Sequence, residues 1–392
     1  MKAKIKVVFF AEILVEEFDG ASRTIFQIIN SIPDDKFEFL FVCGVKPGVH
    51  FVYEVFDVPA ITIPFNKNYK MAIPFFNKSK LYSKLNEFAP DVIHISTPSL
   101  LGKLGLDFAY DNEIPVISIY HTHFLSYVDY YMENFKMFVD PVKQLMINGL
   151  KKFYFKCSLV YIPTSVITKE LVSLGFVDSN MKIWPRGLDS IKFNPIKRDT
   201  SHIYKRTGNQ NPNILFASRL VWEKNLKTLI QIYTFIQKRN LKYNIIIAGD
   251  GVATDDLKIA MPNAIFLGQL SHTELAVTYA SCDVFLFTSV TESYGNVVSE
   301  AMASGLPVVI ANGGGSAGLV EDGINGLLCE AFNAHDYIRN IDKLIKDQNL
   351  RSTIIHNGLE LTKKLKWSAL TDIYFRDLEI LASSVNNQEI AV

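Results

Sequence analysis

The 392-residue sequence predicts an α/β protein made of two doubly wound domains. Three observations predict it. Short apolar runs rich in β-branched and aromatic residues alternate with longer amphipathic stretches, which is the pattern of βαβ units and parallel sheets. Several of those runs are apolar at every position, as strands covered by helices on both faces must be. A polar, turn-rich stretch then interrupts the series: PRGLDSIKFNP, followed by KRDTSHIYKRTGNQNPN, which reads as an interdomain hinge.

Taken in order, the first series of strands is expected at Lys4–Phe10, Phe37–Cys43, Ile61–Pro64, Asp91–Ser96, Pro115–Tyr120, Leu159–Pro163 and Met181–Trp184. The second is expected at Ile214–Ser218, Asn244–Ala248, Ala264–Leu267, Val284–Thr288, Pro307–Ala311 and Gly326–Cys329, with amphipathic helices between. This gives domains over residues 1–192 and 193–366. A last helix is expected over residues 367–385, and its periodicity does not say which domain it packs on.

Composition narrows the class. The chain is 48% apolar and 20% charged, enough for a full core in each domain. Lys plus Arg is 40 and Asp plus Glu is 40, so no global charge draws it to nucleic acid or an anionic surface. Cys43, Cys157, Cys282 and Cys329 are scattered, with no C-x-x-C pair, which fits a reducing compartment better than a zinc site or a disulfide framework. The first residues, MKAKIKVVFFAEILVEEFDG, read as a strand of the mature protein rather than a signal peptide, because the apolar run is short and followed by acids. No window reaches the ~18 apolar residues of a membrane span. The expectation is a cytoplasmic protein, with peripheral attachment to the inner face of a membrane left open.

In doubly wound sheets ligands sit beyond the carboxyl ends of the strands, so the residues just after each strand carry the functional question. The stretch VFLFTSVTESYGNVVSEAMASG places Glu292 and Gly295 in a loop and opens a helix near Asn296. Gly305 and Pro307 stop that helix. Its apolar face is Val297, Val298, Ala301 and Met302, while Asn296 and Glu300 share another stripe. Glu292 is either an ordinary first-turn acid or a group aimed at a polar ligand held by free N–H groups. Glu300 is either solvated or a ligand contact.

In ILFASRLVWEK a strand runs into Arg219, with Lys224 five residues on. A guanidinium fork and a compact ammonium at a strand end suit a diphosphate, and Trp222 or Glu223 could equally make a cap or salt bridge there. Gly20, in EEFDGASRT, lies between the first strand and a helix, where backbone can approach a phosphate or simply turn. His121, in ISIYHTHF, follows a buried strand and could bond a sugar hydroxyl or relay a proton. His121 and His123 lack a carboxylate or Cys at ligand spacing, so no metal is expected. His94 reads as a satisfied strand-end histidine. The AGDG run at Ala248–Gly251 is too short to specify a dinucleotide site. Gly313–Gly315 allow close approach of a ligand or a flexible turn.

Glu292 and Glu300 form an E-x7-E pair. With ASRLVWEKN, IIIAGDG, FLGQLSHTELAVTYASCDVFLFTS and VEDGINGLL, the second half resembles the retaining GT-B glycosyltransferases. The group is the family 4-like one that contains bacterial lipid mannosyltransferases and sulfolipid synthases. The resemblance is strong over about residues 210–330. It is looser in the first half, through FDGASRT, PDVIHISTPSLLG, PVISIYHTHF and WPRGLDSIKFNP. It implies two Rossmann-like domains facing across a cleft, and transfer of a hexosyl group from a nucleotide diphosphate sugar to a glycan or lipid-linked acceptor in cell-envelope synthesis. It further implies that Arg219 and Lys224 contact the donor diphosphate, and that Glu300 holds the ribose. Glu292 would contact the transferred sugar, and the backbone of Gly295, Asn296 and Val297 would support sugar and phosphate. Gly20 would touch phosphate, and His121 would sit beside sugar and acceptor. The C-terminal helix would cross back to the first domain.

No D-x-D pair for a divalent cation occurs, so neither metal nor cofactor is implied. One departure stands out: relatives often carry an acid after the Gly-Gly turn, where this chain has Gly318 in GGGSAGLVEDG. A nucleotide-sugar epimerase of the same architecture, or a non-catalytic sugar-binding protein, are the rival readings. The donor base stays open. Lys67–Lys84 and Lys151–Lys156 mix basic and aromatic residues and are either solvated faces or contacts with an anionic membrane.

Overall fold

A computed structural model describes residues 3–16, 18–63, 66–121, 123 and 136–389. Glu17, Pro64, Thr122 and Phe124, which belong to segments singled out above, lie outside the described residues. The chain divides into two compact units, Met1–Trp184 with Ser368–Val392, and Pro185–Trp367.

The first unit is built on a seven-stranded parallel sheet. Its strands are β1 (Ile5–Ile13), β2 (Phe37–Val45), β3 (Glu54–Asp57), β6 (Val92–Ile95), β7 (Val116–Ile119), β8 (Leu159–Ile162) and β9 (Met181–Ile183), in the order β3-β2-β1-β6-β7-β8-β9. A separate antiparallel hairpin joins β4 (Ala60–Ile63) to β5 (Asn66–Ala72). The central strands are buried on both faces: β6 and β7 are buried at every position, His94 and Ser118 included, which removes the alternation a half-exposed strand would show.

β3 and β5 were not among the predicted strands. β3 is EVFD at the sheet edge with both ends exposed, and β5 is NKNYKMA, whose lysines break any apolar run. Ile61–Pro64 was expected as a sheet strand; instead β4 pairs only with β5.

The second unit carries a six-stranded parallel sheet of β10 (Asn213–Ala217), β11 (Asn244–Ala248), β12 (Ile265–Gly268), β13 (Val284–Phe287), β14 (Val308–Ala311) and β15 (Leu327–Cys329). The order is β12-β11-β10-β13-β14-β15, so the winding reverses between β10 and β13. That is where such sheets open a crevice.

The polar run after Pro195 is not all linker. Asp199 caps a helix, Thr200–Thr207, by accepting from the N–H groups of Ser201 and His202, and Gly208 ends it at φ +66°. Composition hid this helix because it buries only Ile203.

The C-terminal helix, Trp367–Glu389, is tied to the first unit by polar contacts in an otherwise apolar interface. The Trp184 indole N–H donates to the Leu370 carbonyl (3.0 Å), the Tyr374 hydroxyl lies 2.8 Å from His94 Nδ1, and Asp377 accepts from Tyr161 and Lys182. Burial pulls the His94 imidazole down to about 3, so it stays neutral as a structural group. All four cysteines are buried free thiols, and burial pushes each of them up. Among the described residues no helix is long and apolar enough to cross a membrane.

Candidate active site at the carboxyl edge of the second sheet

Two loops leave the sheet on either side of the point where its winding reverses. After β10 the chain makes the Arg219 turn and a short 3-10 segment, Trp222–Lys224. After β13 it passes through Thr288–Gly295 into the helix Asn296–Ala303. The loops are laced together. The Thr288 hydroxyl donates to the Lys224 carbonyl (3.0 Å) and the Thr291 hydroxyl to the Glu223 carbonyl (3.3 Å). The Asn225 amide donates to the carbonyls of Thr288 and Ala331. These bonds satisfy backbone that leaves the sheet, and they fix the side chains the loops carry.

The result is an ion pair across the switch point. Lys224 Nζ lies 2.7 Å from Glu292 Oε1, with the lysine side chain 4% exposed and the glutamate 23%. Ser289 donates to the same carboxylate oxygen (3.3 Å). Beside it, the Arg219 side chain is 70% exposed, and Nη2 stands 3.6 Å from Glu223 Oε1, whose side chain is buried. One cation is thus held in place, while the other is anchored at its edge with most of its donor fork facing solvent.

The helix after this loop starts in a way that favours an anion. Its N-cap is Gly295, at φ +88°, which has no side chain to cap the first-turn N–H groups. A Cβ at Gly295 would lie 2.7 Å from the Ser316 Cβ, so glycine is required by both conformation and space. An uncapped helix start combines free donors with the positive end of the helix dipole. Val298, Ala301 and Met302 are buried as expected, but Val297 is only half-buried; Ser299 and Ala303 take core positions instead. Glu300 is half-buried, and Tyr279 donates to its Oε2 at 3.4 Å. Burial, reinforced by Glu300, pushes the Tyr279 phenol well up, so it remains a donor.

Gly313–Gly315 form a turn that packs against the Glu292 loop. A Cβ on Gly315 would sit 1.8 Å from the Ser293 carbonyl oxygen, and the Gly315 N–H donates to the Glu292 carbonyl at 2.6 Å. The close approach is to the protein's own Glu292 loop, which the turn props from behind. The AGDG run does similar work: Leu220 donates to the Asp250 carbonyl (2.9 Å) and holds the Arg219 turn. Gly318 is exposed. Behind the loop lies a group the sequence did not announce. Arg186 is buried, its guanidinium pulled down to about 10 by burial, and the Tyr294 hydroxyl donates to its carbonyl (3.3 Å).

Gly20 and His121 belong to the first unit, both beyond the carboxyl ends of its strands. Gly20 opens the helix Gly20–Ile29, which Asp19 caps by accepting from the Ser22 N–H (2.7 Å). His121 is half-buried two residues past β7. His123 is engaged at both ring nitrogens, by the Tyr120 hydroxyl (3.0 Å) and by Glu170 (3.0 Å). The His123 bond holds the Glu170 carboxyl below its usual range. Among the described residues no three His, Cys, Asp or Glu side chains converge as a metal cluster.

Two family models account for most of the chain: Glycosyltransferase Family 4 over residues 18–191, and Glycosyl transferases group 1 over residues 198–361. A GDP-mannose-dependent alpha-mannosyltransferase of Corynebacterium glutamicum is 27% identical over 380 residues, spanning 93% of this chain and 86% of the relative. The sulfoquinovosyl transferase SQD2 of Arabidopsis thaliana is 30% identical over 301 residues, 74% of this chain and 57% of the relative. Among solved structures, Anabaena Alr3699/HepE in complex with UDP and glucose superposes with a TM-score of 0.70 at 21% identity, covering 96% of this chain and 99% of that one. With two doubly wound sheets and a cationic switch point in the second, the chain belongs to the family 4-like glycosyltransferases of GT-B fold.

Proposed function

We propose that the protein transfers a hexosyl group from a nucleotide diphosphate sugar to a glycan or lipid-linked acceptor, with retention at the anomeric carbon and without a metal ion. The observation that carries this reading is the Lys224–Glu292 pair beside the exposed Arg219, at the mouth of an uncapped helix. A diphosphate entering there meets two cations and a set of N–H donors; a sugar attached to it meets the Glu292 carboxylate. The similarity to a GDP-mannose-dependent mannosyltransferase and to a structure holding UDP and glucose supports a nucleotide-sugar donor.

In this reading Arg219 and Lys224 neutralise the leaving diphosphate. Glu300 holds the ribose, and the backbone of Gly295, Asn296 and Val297 supports sugar and phosphate. Charge grows on the departing phosphate as the anomeric C–O bond breaks, so fixed cations bind the transition state more tightly than the ground state. The acceptor oxygen forms the new C–O bond on the same face, and its proton passes to the leaving diphosphate oxygen. Glu292 positions the sugar. His121 and Gly20, assigned by family resemblance, serve the acceptor side and the phosphate.

The same reading brings the enzyme to the cytoplasmic face of a membrane when the acceptor is lipid-linked. Phe75 and Phe76 are 64% and 84% exposed beside Lys78 and Lys80, and Phe155 is 71% exposed beside Lys151 and Lys152. Exposed aromatics among lysines suit an anionic lipid surface. The test is a screen of GDP-, UDP- and ADP-sugars with the product's anomeric configuration read by NMR. A retained anomer formed in EDTA supports the proposal. An inverted anomer, activity that requires a divalent cation, or donor turnover that needs no acceptor contradicts it.

A further inference from the structure

The second unit has a cavity at the opposite edge of its sheet from Arg219 and Lys224. It has a volume of about 500 Å³, within the range that holds small ligands. Its walls include Tyr204, Asn209, Gln210, Asn211, Asn213 and Asp283. Asn213 is the first residue of β10 and Ala217 the last, so about 13 Å of strand separates this cavity from the diphosphate end.

The wall is built rather than incidental. Asn244 donates to the side-chain oxygens of Asn209 (2.9 Å) and Asn213 (2.9 Å), and Asn209 donates back to Asn244 (3.2 Å). Asn213 donates through its backbone N–H and its side chain to Asp283 Oδ2, and Arg351 holds the other oxygen of Asp283 (3.3 Å). The amide ladder is therefore rigid, and its one carboxylate is already occupied on both oxygens. In front of it, the side chains of Tyr204, Gln210 and Asn211 make no hydrogen bond or ion pair within the described residues. Tyr204 is 53% exposed, on the helix Thr200–Thr207.

Free planar amides and a phenol on a rigid, nearly neutral polar wall match the chemistry of a neutral polyhydroxylated ligand. Amides exchange paired hydrogen bonds with vicinal hydroxyls, and an aromatic ring packs on the apolar face of a pyranose. Among the lining residues one cation, Arg198, stands against one carboxylate, Asp283, so an anion gains little there, and an apolar ligand would have to desolvate the amides. We propose that this cavity is a secondary carbohydrate site that holds a hexose unit of a glycan chain away from the reacting end. Holding the chain there raises the local concentration of acceptor or product at the enzyme.

Saturation-transfer NMR on the intact chain tests it, with maltotriose and α-1,6-linked mannotriose as probes and saturating GDP plus UDP present to fill the nucleotide site. The expected result is millimolar binding of at least one trisaccharide, unaffected by the nucleotides. It should weaken about tenfold or more in Tyr204→Ala and in Asn211→Asp, each melting as the wild type does. No binding of either probe, displacement by the nucleotides, or unchanged binding in both variants overturns the proposal. None of these outcomes bears on transfer from a nucleotide sugar, which is assayed separately.

Discussion

Both sheets reverse their winding next to their first strand, between β1 and β6 in the first unit and between β10 and β13 in the second, yet the two edges have opposite chemistry. In the second unit the strand ends carry Arg219 and Lys224, and the following helix begins without a side-chain cap. In the first unit β1 carries, one residue before its end, Glu12, which is 4% exposed and accepts the Ala72 N–H at 2.7 Å, and the following helix is capped by Asp19. One edge leaves positive charge and N–H donors for a ligand; the other spends its donors on its own carboxylates. The topology is alike at the two switch points, and the residue types at the strand ends make their chemistry differ.

The largest effect expected from breaking this contrast is at Lys224. Lys224→Met removes the fixed cation and leaves Glu292 unpaired. Transfer should fall by roughly 10²–10³, as when one charge-stabilising donor is lost, and stability by up to about 3 kcal/mol. Steady-state kinetics and a thermal melt read the two separately. Next comes Arg219→Ala. Because the side chain is 70% exposed, the melt should hardly move, while the donor KM should rise about ten- to a hundredfold, the worth of a charge-assisted bond. A melt that shifts as much as the kinetics would make Arg219 a structural residue. Gly295→Ala forces a side chain into φ +88° against Ser316, and about 1–3 kcal/mol of strain should appear as weaker nucleotide binding.

The first unit supplies the smallest effect, with the sign fixed by burial. Burial raises the Glu12 carboxyl above its ordinary 4.5. A carboxyl with a raised folded pKa favours folding below the unfolded pKa, and that contribution is lost as pH rises through the folded value. Glu12→Gln should therefore flatten a small decline in melting temperature just above pH 4.5 and leave nucleotide affinity unchanged. A change in nucleotide affinity would mean that Glu12 itself acts on the nucleotide.

Every strand of the two sheets except the edge strand β3 was legible, because parallel strands buried on two faces are mostly apolar. β5 was not, because its lysine-bearing sequence looks like a surface charge pattern until β4 is seen beside it. The polar run after Pro195 hid a helix for the opposite reason, since a helix burying one residue leaves almost no periodic signal. At the site, residue types after β10 and β13 could be read directly, and family resemblance assigned their roles. The lacing by Asn225, Thr288 and Thr291 could not be read, because it joins residues more than sixty positions apart through side chains that look ordinary in sequence. The glycine turn at Gly313–Gly315 was visible, but its partner, the protein's own Glu292 loop, was not.

The central claim is that the carboxyl edge of the second sheet grips a nucleoside diphosphate through its β-phosphate side. Calorimetric titration of the wild type and Lys224→Met with GDP, UDP and ADP, each against its monophosphate, tests it most directly. The account predicts that one diphosphate binds the wild type at least about tenfold more tightly than its monophosphate, and that Lys224→Met abolishes the difference. Equal affinity for the diphosphate and monophosphate in the wild type, or a preference that survives in the variant, would contradict it.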